Sequence, residues 1–288
     1  MALQRSDFRF FHPLRVRWAE VDMQHIVFNA HYLMYLDTAM GDYWRALALP
    51  YQESMAVLGG DMYVKKATLE YHASARYDDV LHIGLRCARV GQSSMVFEAG
   101  IFRGDTLLVS GELLYVFADP ASQTSRPVPE ALRQVFAAQT AGLALTQCLV
   151  GDWNTWEARI TPLRRAIFVD EQGIAEHLVV DEADPVAIHA VVRNAVGQVV
   201  ASGRMLVHAP GVARIGRMAT HRVLRGTGLG LQVLRALMAA ARARGDSEVM
   251  LHAQCSAEGF YAREGFAPRG PVFVEAGIAH QDMVRALS

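Results

Sequence analysis

Apolar and polar positions along the first part of the chain predict one helix followed by several strands. Residues 13–19 alternate as a strand does. Over residues 30–48 apolar side chains recur every three or four positions, which predicts a helix with one buried face. Asn29 is expected to cap this helix, and Pro50 to stop it. Further strands are expected at 61–71, 80–90, 93–103 and 106–118, which makes an α+β fold.

The second part has a different order of elements. A linker with several prolines is expected at 119–129, and a short amphipathic helix at 129–139. Strands and helices then alternate, with a strongly amphipathic helix at 228–244. We expect one domain over residues 1–138 and a second over 139–288. The other expected elements are strands at 143–150, 186–193, 198–207, 212–219 and 248–253, helices at 153–169 and 256–264, and two last strands.

Composition and charge narrow the class of protein. The 288 residues are 52% hydrophobic and 20% charged, which is enough for two soluble domains with a core each. A formal net charge of −1 gives no reason to expect a nucleic-acid partner. Three widely separated cysteines predict neither a disulfide framework nor a metal site. Because signal-peptide and bilayer-spanning patterns are absent from the sequence, we expect a cytoplasmic protein with no membrane partner.

A glycine-rich turn precedes the predicted amphipathic helix of the second part. Its glycines permit a tight turn and the close approach of a ligand. Free amides and the dipole at the helix start suit a pyrophosphate, and Arg222 adds positive charge. Packing alone is the other explanation for such a turn, and the Gly-Lys-Ser/Thr of a Walker loop is missing. The turn consists of Arg225, Gly226, Thr227, Gly228, Leu229 and Gly230.

The residues around this turn resemble the GNAT acetyltransferase superfamily. The stretches ARIGRMATHRVLRGTGLGLQVLRALMAAARARG and VMLHAQCSAEGFYAREGF carry the resemblance, which covers about residues 145–286. The segment RRAIFVDEQGI is similar to the branch that includes ElaA and YjcF. The resemblance implies that acetyl-CoA or another acyl-CoA is the substrate and that an amine is the acceptor. Arg225, Gly228 and Gly230 match the family's pyrophosphate motif, and Arg217, Met218, Ala219 and Thr220 match the strand that pairs with the pantetheine arm.

Two chemical roles in this half follow from the resemblance and from the needs of amine acylation. Tyr261 occupies the position whose hydroxyl often protonates the departing CoA thiolate, although a tyrosine packed with a locally satisfied hydroxyl remains the alternative. An attacking amine must lose a proton, so acids are expected on the pocket wall. Glu171 and Asp170 are the candidates, unless they are solvated acids at a helix end. Gln254 to Ser256 stand where many GNAT proteins have an asparagine.

The first part places one acid, Asp22, between a predicted strand and the predicted helix. A carboxylate there lies near free backbone N–H groups. It suits thioester chemistry, because the carboxylate attacks or activates water while the amides hold the oxyanion. A capping or solvated loop acid is the alternative.

The segment RVRWAEVDMQHIVFNAHYLMYLDTAMGDYW resembles the 4-hydroxybenzoyl-CoA thioesterase and YbgC-type branch of the hotdog superfamily, over about residues 8–137. Asp22, Val27 and Tyr32 match its pattern Asp-x-x-Gly-x-Val-x-x-x-x-Tyr. The resemblance implies that Asp22 is the catalytic carboxylate and that the protein is a homodimer or a larger homo-oligomer. His25 replaces the family's glycine, and could narrow the pocket or act as a polar group. The other residues expected near the mouth of the site are Asn29, His31 and Tyr32.

The two resemblances together predict a hotdog domain, with an antiparallel sheet around a long helix, followed by a GNAT α/β domain with a mixed sheet. We expect a bifunctional acyl-CoA enzyme that hydrolyses thioesters in its first domain and acylates an amine in its second. In one alternative only the acetyltransferase is active, and the hotdog domain is a CoA-binding or oligomerisation scaffold. In another the whole chain is a CoA-responsive interaction protein that binds CoA without turnover.

Overall fold

The structure is a computed structural model that describes residues 3–287. The chain divides into two compact units, one up to Leu145 and one from Thr146 onward. Within the described residues no helix combines the length and the apolar composition needed to cross a bilayer. The predicted fold class is confirmed, since the first unit has an antiparallel sheet with a long helix and the second has a mixed sheet with flanking helices.

The first unit is a five-stranded antiparallel sheet that packs against one long helix. The strands follow the order β1-β3-β4-β5-β2, so β2 lies at an edge of the sheet. The predicted strands at 61–71, 80–90 and 106–118 are confirmed with the same bounds. The elements are β1 (Phe10–Arg15), α1 (Asn29–Ala46), α2 (Tyr51–Leu58), β2 (Asp61–Tyr71), β3 (Val80–Val90), β4 (Ser94–Arg103), β5 (Thr106–Ala118) and α3 (Glu130–Ala141).

Helix α1 buries the apolar face that the sequence predicts. Leu36 of this helix lies close to Gly111 of β5, where a Cβ atom would be 3.1 Å from its methyl group. Glycine at that position therefore lets the helix approach the sheet. The predicted N-cap is wrong, because Phe28 occupies the cap position without a side-chain hydrogen bond and Asn29 is the first helical residue. The buried residues of α1 are Tyr32, Tyr35, Leu36, Ala39, Met40, Tyr43 and Trp44.

Two local predictions for the first unit fail. The strand expected at 13–19 ends at Arg15, and a 3-10 turn follows at Trp18–Glu20. The Glu20 carboxylate, only 3% exposed as a residue, accepts hydrogen bonds from the Arg17 amide and the Tyr35 hydroxyl, and these bonds fix the turn. Helix α2 is absent from the prediction because we interpreted Pro50 only as a stop. Pro50 is also the N-cap of α2, which fits the fixed φ of proline.

The second unit is a mixed sheet in which β9 and β10 run parallel while the other strand pairs are antiparallel. The strand order is β11-β13-β10-β9-β8-β7-β6, with β12 paired to β13. The strands are β6 (Thr146–Gly151), β7 (Ile188–Asn194), β8 (Val199–Ala209), β9 (Val212–Thr220), β10 (Glu248–Gln254), β11 (Ala267–Pro268), β12 (Phe273–Glu275) and β13 (Ile278–Ala286). The helices are α4 (Trp153–Arg164), α5 (Leu229–Arg244) and α6 (Glu258–Ala262).

The core of the second unit lies between α5 and one face of the sheet. Leu234 and Leu237 of the helix pack against Ile215 of β9 and Leu251 of β10, all of them at most 2% exposed. The single helix predicted at 153–169 is in fact two pieces, because α4 continues as a π-helical segment at Arg165–Glu171. A π-helical segment widens the backbone and occurs often at functional sites.

Candidate functional site

The parallel strands β9 and β10 separate in the middle of the second unit. They pair from Val212 to Ile215 on β9 and from Glu248 to Leu251 on β10, and no further. Beyond that point β9 contains a bulge against β8, where the pairing register shifts and Arg217 takes a φ of +52°. The remainder of β9 therefore has no partner in β10, and its backbone groups on that side are available to a ligand.

A cavity of about 450 Å³ opens at this separation. A Cβ atom built on Gly216 would have no atom within 4 Å, so this glycine leaves open space in the cavity floor. The walls come from β9, from β10, from the segment after the π-helical turn, from α6 and from the β12–β13 hairpin. The lining includes Arg214, Gly216, Arg217, Met218, His252, Gln254, Tyr261, Glu275 and His280.

The glycine-rich turn lies between β9 and α5. Gly226 and Gly228 have φ values of +82° and +87°, a region that residues with a Cβ adopt only at a cost in free energy. Gly230 fits closely instead, since a Cβ atom there would be 3.1 Å from the Thr220 hydroxyl. Among the described residues, none accepts a hydrogen bond from the amides of Gly226, Gly228 or Gly230. Together with the start of α5 at Leu229, these amides form an arrangement that can bind an anion.

Two polar side chains of this turn have partners within the protein. The Thr227 hydroxyl donates to the Leu224 carbonyl at 2.7 Å. The Arg225 guanidinium donates to both carboxylate oxygens of Glu171, at 2.6 and 2.7 Å. This bidentate pair lowers the pKa of Glu171. The carboxylate therefore stays ionised beside the turn, an arrangement that does not favour a role as proton acceptor for an amine. Asp170 is exposed and lies outside the cavity lining.

Tyr261 lies in the cavity wall and is 8% exposed. Its ring packs edge to face against Phe260 and Phe266. The hydroxyl forms no hydrogen bond with another residue of the described range. Burial raises the pKa of Tyr261 to about 12, so the hydroxyl is protonated at neutral pH and can donate to a thiolate. Of the strand residues predicted to contact the pantetheine arm, Arg217 and Met218 line the cavity and Ala219 is buried behind it.

His252 and Glu275, which the sequence did not indicate, also line the cavity and form a polar cluster with Asp282. The His252 Nδ1 atom is 3.0 Å from Glu275 Oε2, and its Nε2 atom is 3.5 Å from Asp282 Oδ1. Burial opposes the ionised form of Glu275, but the hydrogen bond from His252 and the charges of His252, His280 and Arg214 together outweigh it, so the pKa of Glu275 is lowered. The alternation of β10 puts His252 on one face of the sheet, but only the pairing of β10 with β13 brings Asp282 opposite it.

A buried network of charges holds the wall formed by the segment before β7. Arg164 and Asp184 have fully buried side chains and form an ion pair at 2.8 Å. Arg204 of β8 binds both Asp184 and Asp181, at 2.8 and 2.6 Å. Arg217 also binds Asp181 and the backbone of this segment. The hydrogen bond from Arg204 lowers the pKa of Asp181 to about 2, so this network is fully charged at neutral pH.

In the first unit, Asp22 lies in a loop that a bridge between Val21 and Val27 closes just before α1. One oxygen of its carboxylate, Oδ1, accepts a hydrogen bond from the Gln24 amide at 2.8 Å. The other oxygen has no partner among the described residues. The amides of Asn29 and Ala30 at the start of α1 likewise have no acceptor within the described range. The carboxylate thus lies in the loop that leads into α1, and the free amides lie in the first turn of that helix.

The remaining candidates of this unit have different surroundings. His25 is exposed and has a φ of +60°, which is the conformation that glycine adopts without strain. Tyr32 is 3% exposed, and its hydroxyl accepts a hydrogen bond from the Ala75 amide at 2.9 Å, so it fixes a loop. His31 stacks on Tyr35 with its Nδ1 atom buried and without a partner.

Comparisons with known proteins agree with both units. Residues 24–110 match the family model of the Thioesterase superfamily, and residues 168–287 match that of the Acetyltransferase (GNAT) domain. Asp22 lies just before the first matched range. The acyl-CoA thioester hydrolase YbgC of Escherichia coli O6:H1 is 32% identical over 121 residues, which are 42% of this chain and 90% of the relative.

Two further matches each cover about half of this chain. The uncharacterized protein YyaT of Bacillus subtilis is 30% identical over 129 residues, which are 44% of this chain and 86% of that protein. A solved structure described as a "putative N-acetyltransferase" from Lactobacillus plantarum is 27% identical, with a TM-score of 0.48, over 50% of this chain and 100% of its own. Fold, site geometry and sequence matches thus converge: the chain belongs with its first unit to the hotdog thioesterases and with its second to the GNAT acetyltransferases.

Proposed function

We propose that the chain is a bifunctional acyl-CoA enzyme, which hydrolyses thioesters in its first unit and transfers an acetyl or acyl group to an amine in its second. The separation of β9 from β10 is the observation that carries the proposal. It provides one cavity with unpaired backbone along β9 and with Tyr261 in its wall. The free amides of the glycine-rich turn follow the end of that strand.

Acyl transfer in the second unit follows from this arrangement. The CoA pyrophosphate binds the amides of the turn, where the start of α5 and the exposed Arg222 favour negative charge. The pantetheine arm pairs with β9 from Arg217 to Thr220. The amine then attacks the thioester carbonyl carbon, so that a C–N bond forms and the C–S bond breaks. Tyr261 donates its proton to the thiolate that leaves.

Thioester hydrolysis in the first unit uses Asp22. Its partner-free carboxylate oxygen attacks the thioester carbonyl or takes a proton from the attacking water. The amides at the start of α1 stabilise the oxyanion that develops on the carbonyl oxygen. Sequence identity to an acyl-CoA thioester hydrolase over this unit supports the assignment.

A second candidate function keeps only the acetyltransferase active, with the hotdog unit as a CoA-binding or oligomerisation scaffold. His25 is the observation that favours it. At His25 the backbone keeps the positive φ that a glycine would adopt. The imidazole nevertheless adds bulk beside Asp22, whose backbone carbonyl accepts a hydrogen bond from the His25 amide. The two functions differ in whether CoA is released without any amine.

The test measures CoA release from a panel of acyl-CoAs, with and without an amine mixture. We expect release in both conditions, and a larger rate with amine.

Tyr261→Phe should lower the amine-dependent rate by about 100-fold, the usual size of a general-acid contribution, and leave the amine-independent rate unchanged. Tyr77→Phe, at an exposed tyrosine of the first unit, is the matched control. An unchanged amine-dependent rate in Tyr261→Phe would remove this residue from the mechanism. No release without amine would favour the second candidate function.

A homodimer through the hotdog unit is part of the proposal. Strand β2 pairs only with β5 among the described strands, and its outer edge is open. Val64 and Tyr71 on β2 are 54% and 53% exposed, and Met34 on α1 is 52% exposed. We expect light scattering to give at least twice the chain mass of 31.7 kDa at micromolar concentration. Val64→Lys should weaken the dimer, since a charge on an edge strand disfavours pairing. A monomeric wild-type protein would contradict this.

A further inference from the structure

Arg214 is a cation in the cavity wall, and its charge lies near enough to Glu275 to help lower the pKa of that carboxyl. It lies on β9 just before the strands separate, opposite Met250 of β10. Within residues 3–287 its guanidinium forms no hydrogen bond or ion pair, whereas Arg217 is bound to Asp181. A guanidinium is charged at every physiological pH, and its planar donors match a carboxylate or a phosphate. The position of Arg214 thus fits an anionic group of a ligand.

The position along β9 decides between the two substrates as the source of that anion. The turn that binds the pyrophosphate lies beyond Thr220, at the far end of the strand. From Arg214 to Thr220 the strand is about 20 Å long, at about 3.3 Å per residue. A pyrophosphate held by the turn therefore cannot reach Arg214. Because an acetyl group carries no anion, the anion belongs to the acceptor when acetyl-CoA is the donor.

A group that can take a proton lies beside Arg214. His252 directly follows the last paired residue of β10, and Gly216 directly follows the last paired residue of β9, so the open floor lies next to the imidazole. Glu275 holds Nδ1 of His252 at 3.0 Å, and Asp282 lies 3.5 Å from Nε2. Glu275 accepts a hydrogen bond from Nδ1, which leaves Nε2 as the nitrogen that can take a proton. His280, Arg214 and Arg217 are the other charged or titratable side chains that line this part of the cavity.

We propose that the acceptor is a small amine that also carries a carboxylate, of the amino-acid class. Arg214 binds the carboxylate, and the amine lies over Gly216 beside His252. The nitrogen attacks the thioester carbonyl carbon, and the proton that it loses passes to Nε2 of His252. The C–S bond breaks, and the thiolate takes a proton from Tyr261. This inference rests on the proposed acyl transfer and adds the class of its acceptor.

The experiment compares α-amino acids with their α-carboxamides as acceptors, with acetyl-CoA as donor. Each pair differs only in the carboxylate. The amine of the carboxamide is the less basic of the two, so more of it is unprotonated at neutral pH, and intrinsic reactivity does not favour the acid. We expect kcat/KM to be higher for the acids. Arg214→Gln should lower kcat/KM for the acids by about 10- to 100-fold, as expected when a charge-assisted hydrogen bond is lost, and leave the carboxamides unchanged.

Control variants separate binding from proton transfer. Arg193→Gln, on β7 and outside the cavity lining, should change neither class of acceptor. His252→Gln should lower kcat for acids and carboxamides alike, and this loss should shrink as the pH rises and the free amine becomes abundant. A loss in Arg214→Gln that is equal for both classes, with a shifted pH profile, would mean that Arg214 acts on Glu275 and would overturn the inference. A pH-independent kcat in His252→Gln would remove His252 as proton acceptor.

Failure of acyl transfer itself gives a different result. If neither class of acceptor is acetylated while the amine mixture still stimulates CoA release, the inference is overturned and the proposed transfer stands. If the mixture does not stimulate release either, the proposed transfer fails, and calorimetric titration of the acetyl-CoA-loaded protein with the same acids and carboxamides decides the inference. Binding of the acids that disappears in Arg214→Gln supports an amino-acid site without turnover. Equal binding of both classes, or no binding of any acid, overturns the inference.

Discussion

Asp184→Ala is expected to destabilise the second unit by about 3 to 5 kcal/mol, the usual result of removing one partner of a buried ion pair. Asp184 and Arg164 have fully buried side chains that form an ion pair. The variant removes the carboxylate and leaves the Arg164 charge in the interior without it. The guanidinium also contacts His189 Nδ1 at 3.4 Å and the Trp153 ring, but neither group supplies a negative charge to compensate. The segment that Asp184 anchors should detach from β8.

Denaturant unfolding of the full chain measures this effect. Trp153 is a suitable fluorescent reporter, because the Arg164 guanidinium lies 5.4 Å from its ring centre and His189 packs beside it. Glu176→Ala removes an exposed ion pair with Arg165 in the same region and should change stability by less than about 1 kcal/mol. Should Asp184→Ala lie within about 1 kcal/mol of the wild type, the network would be a weak contributor to this fold.

Asp22→Asn is expected to reduce amine-independent hydrolysis by about 1,000-fold or more, as for the loss of a nucleophile or its base. The amide oxygen of asparagine can still accept the Gln24 hydrogen bond, so the loop before α1 should keep its conformation. Acyl transfer to an amine should be unchanged, since Asp22 lies in the other unit. Hydrolysis and transfer are therefore assayed on the same preparation of the variant.

Asp78→Asn is the matched control for this prediction. Asp78 is an exposed acid of the same unit, 62% exposed and paired with an exposed Arg15. Its replacement should leave both rates within twofold of the wild type, because exposed pairs contribute little free energy. Full hydrolysis in Asp22→Asn would exclude a chemical role for Asp22. It would also direct attention to His31, whose buried Nδ1 has no partner.

Much of the fold could be predicted from the sequence because the relevant signals are local. The buried face of α1 follows from apolar spacing within the helix itself, and the bounds of β2, β3 and β5 follow from runs bounded by turn residues. The glycine-rich turn was also visible, since its requirement for positive φ at Gly226 and Gly228 is a property of those residues. Helix α2 was missed because a proline that ends one helix can begin another.

The candidate site depended more strongly on tertiary structure. The sequence by itself determined the two fold classes, the glycine-rich turn and the places of Asp22 and Tyr261 along the chain, because the signals for each lie in continuous stretches of residues. Only the tertiary structure decided that Glu171 pairs with Arg225, that Tyr32 binds the Ala75 amide, and that His252 meets Glu275. Those contacts join residues that are distant along the chain. Strand register and helix packing determine these contacts, and neither can be predicted from a local pattern of residues.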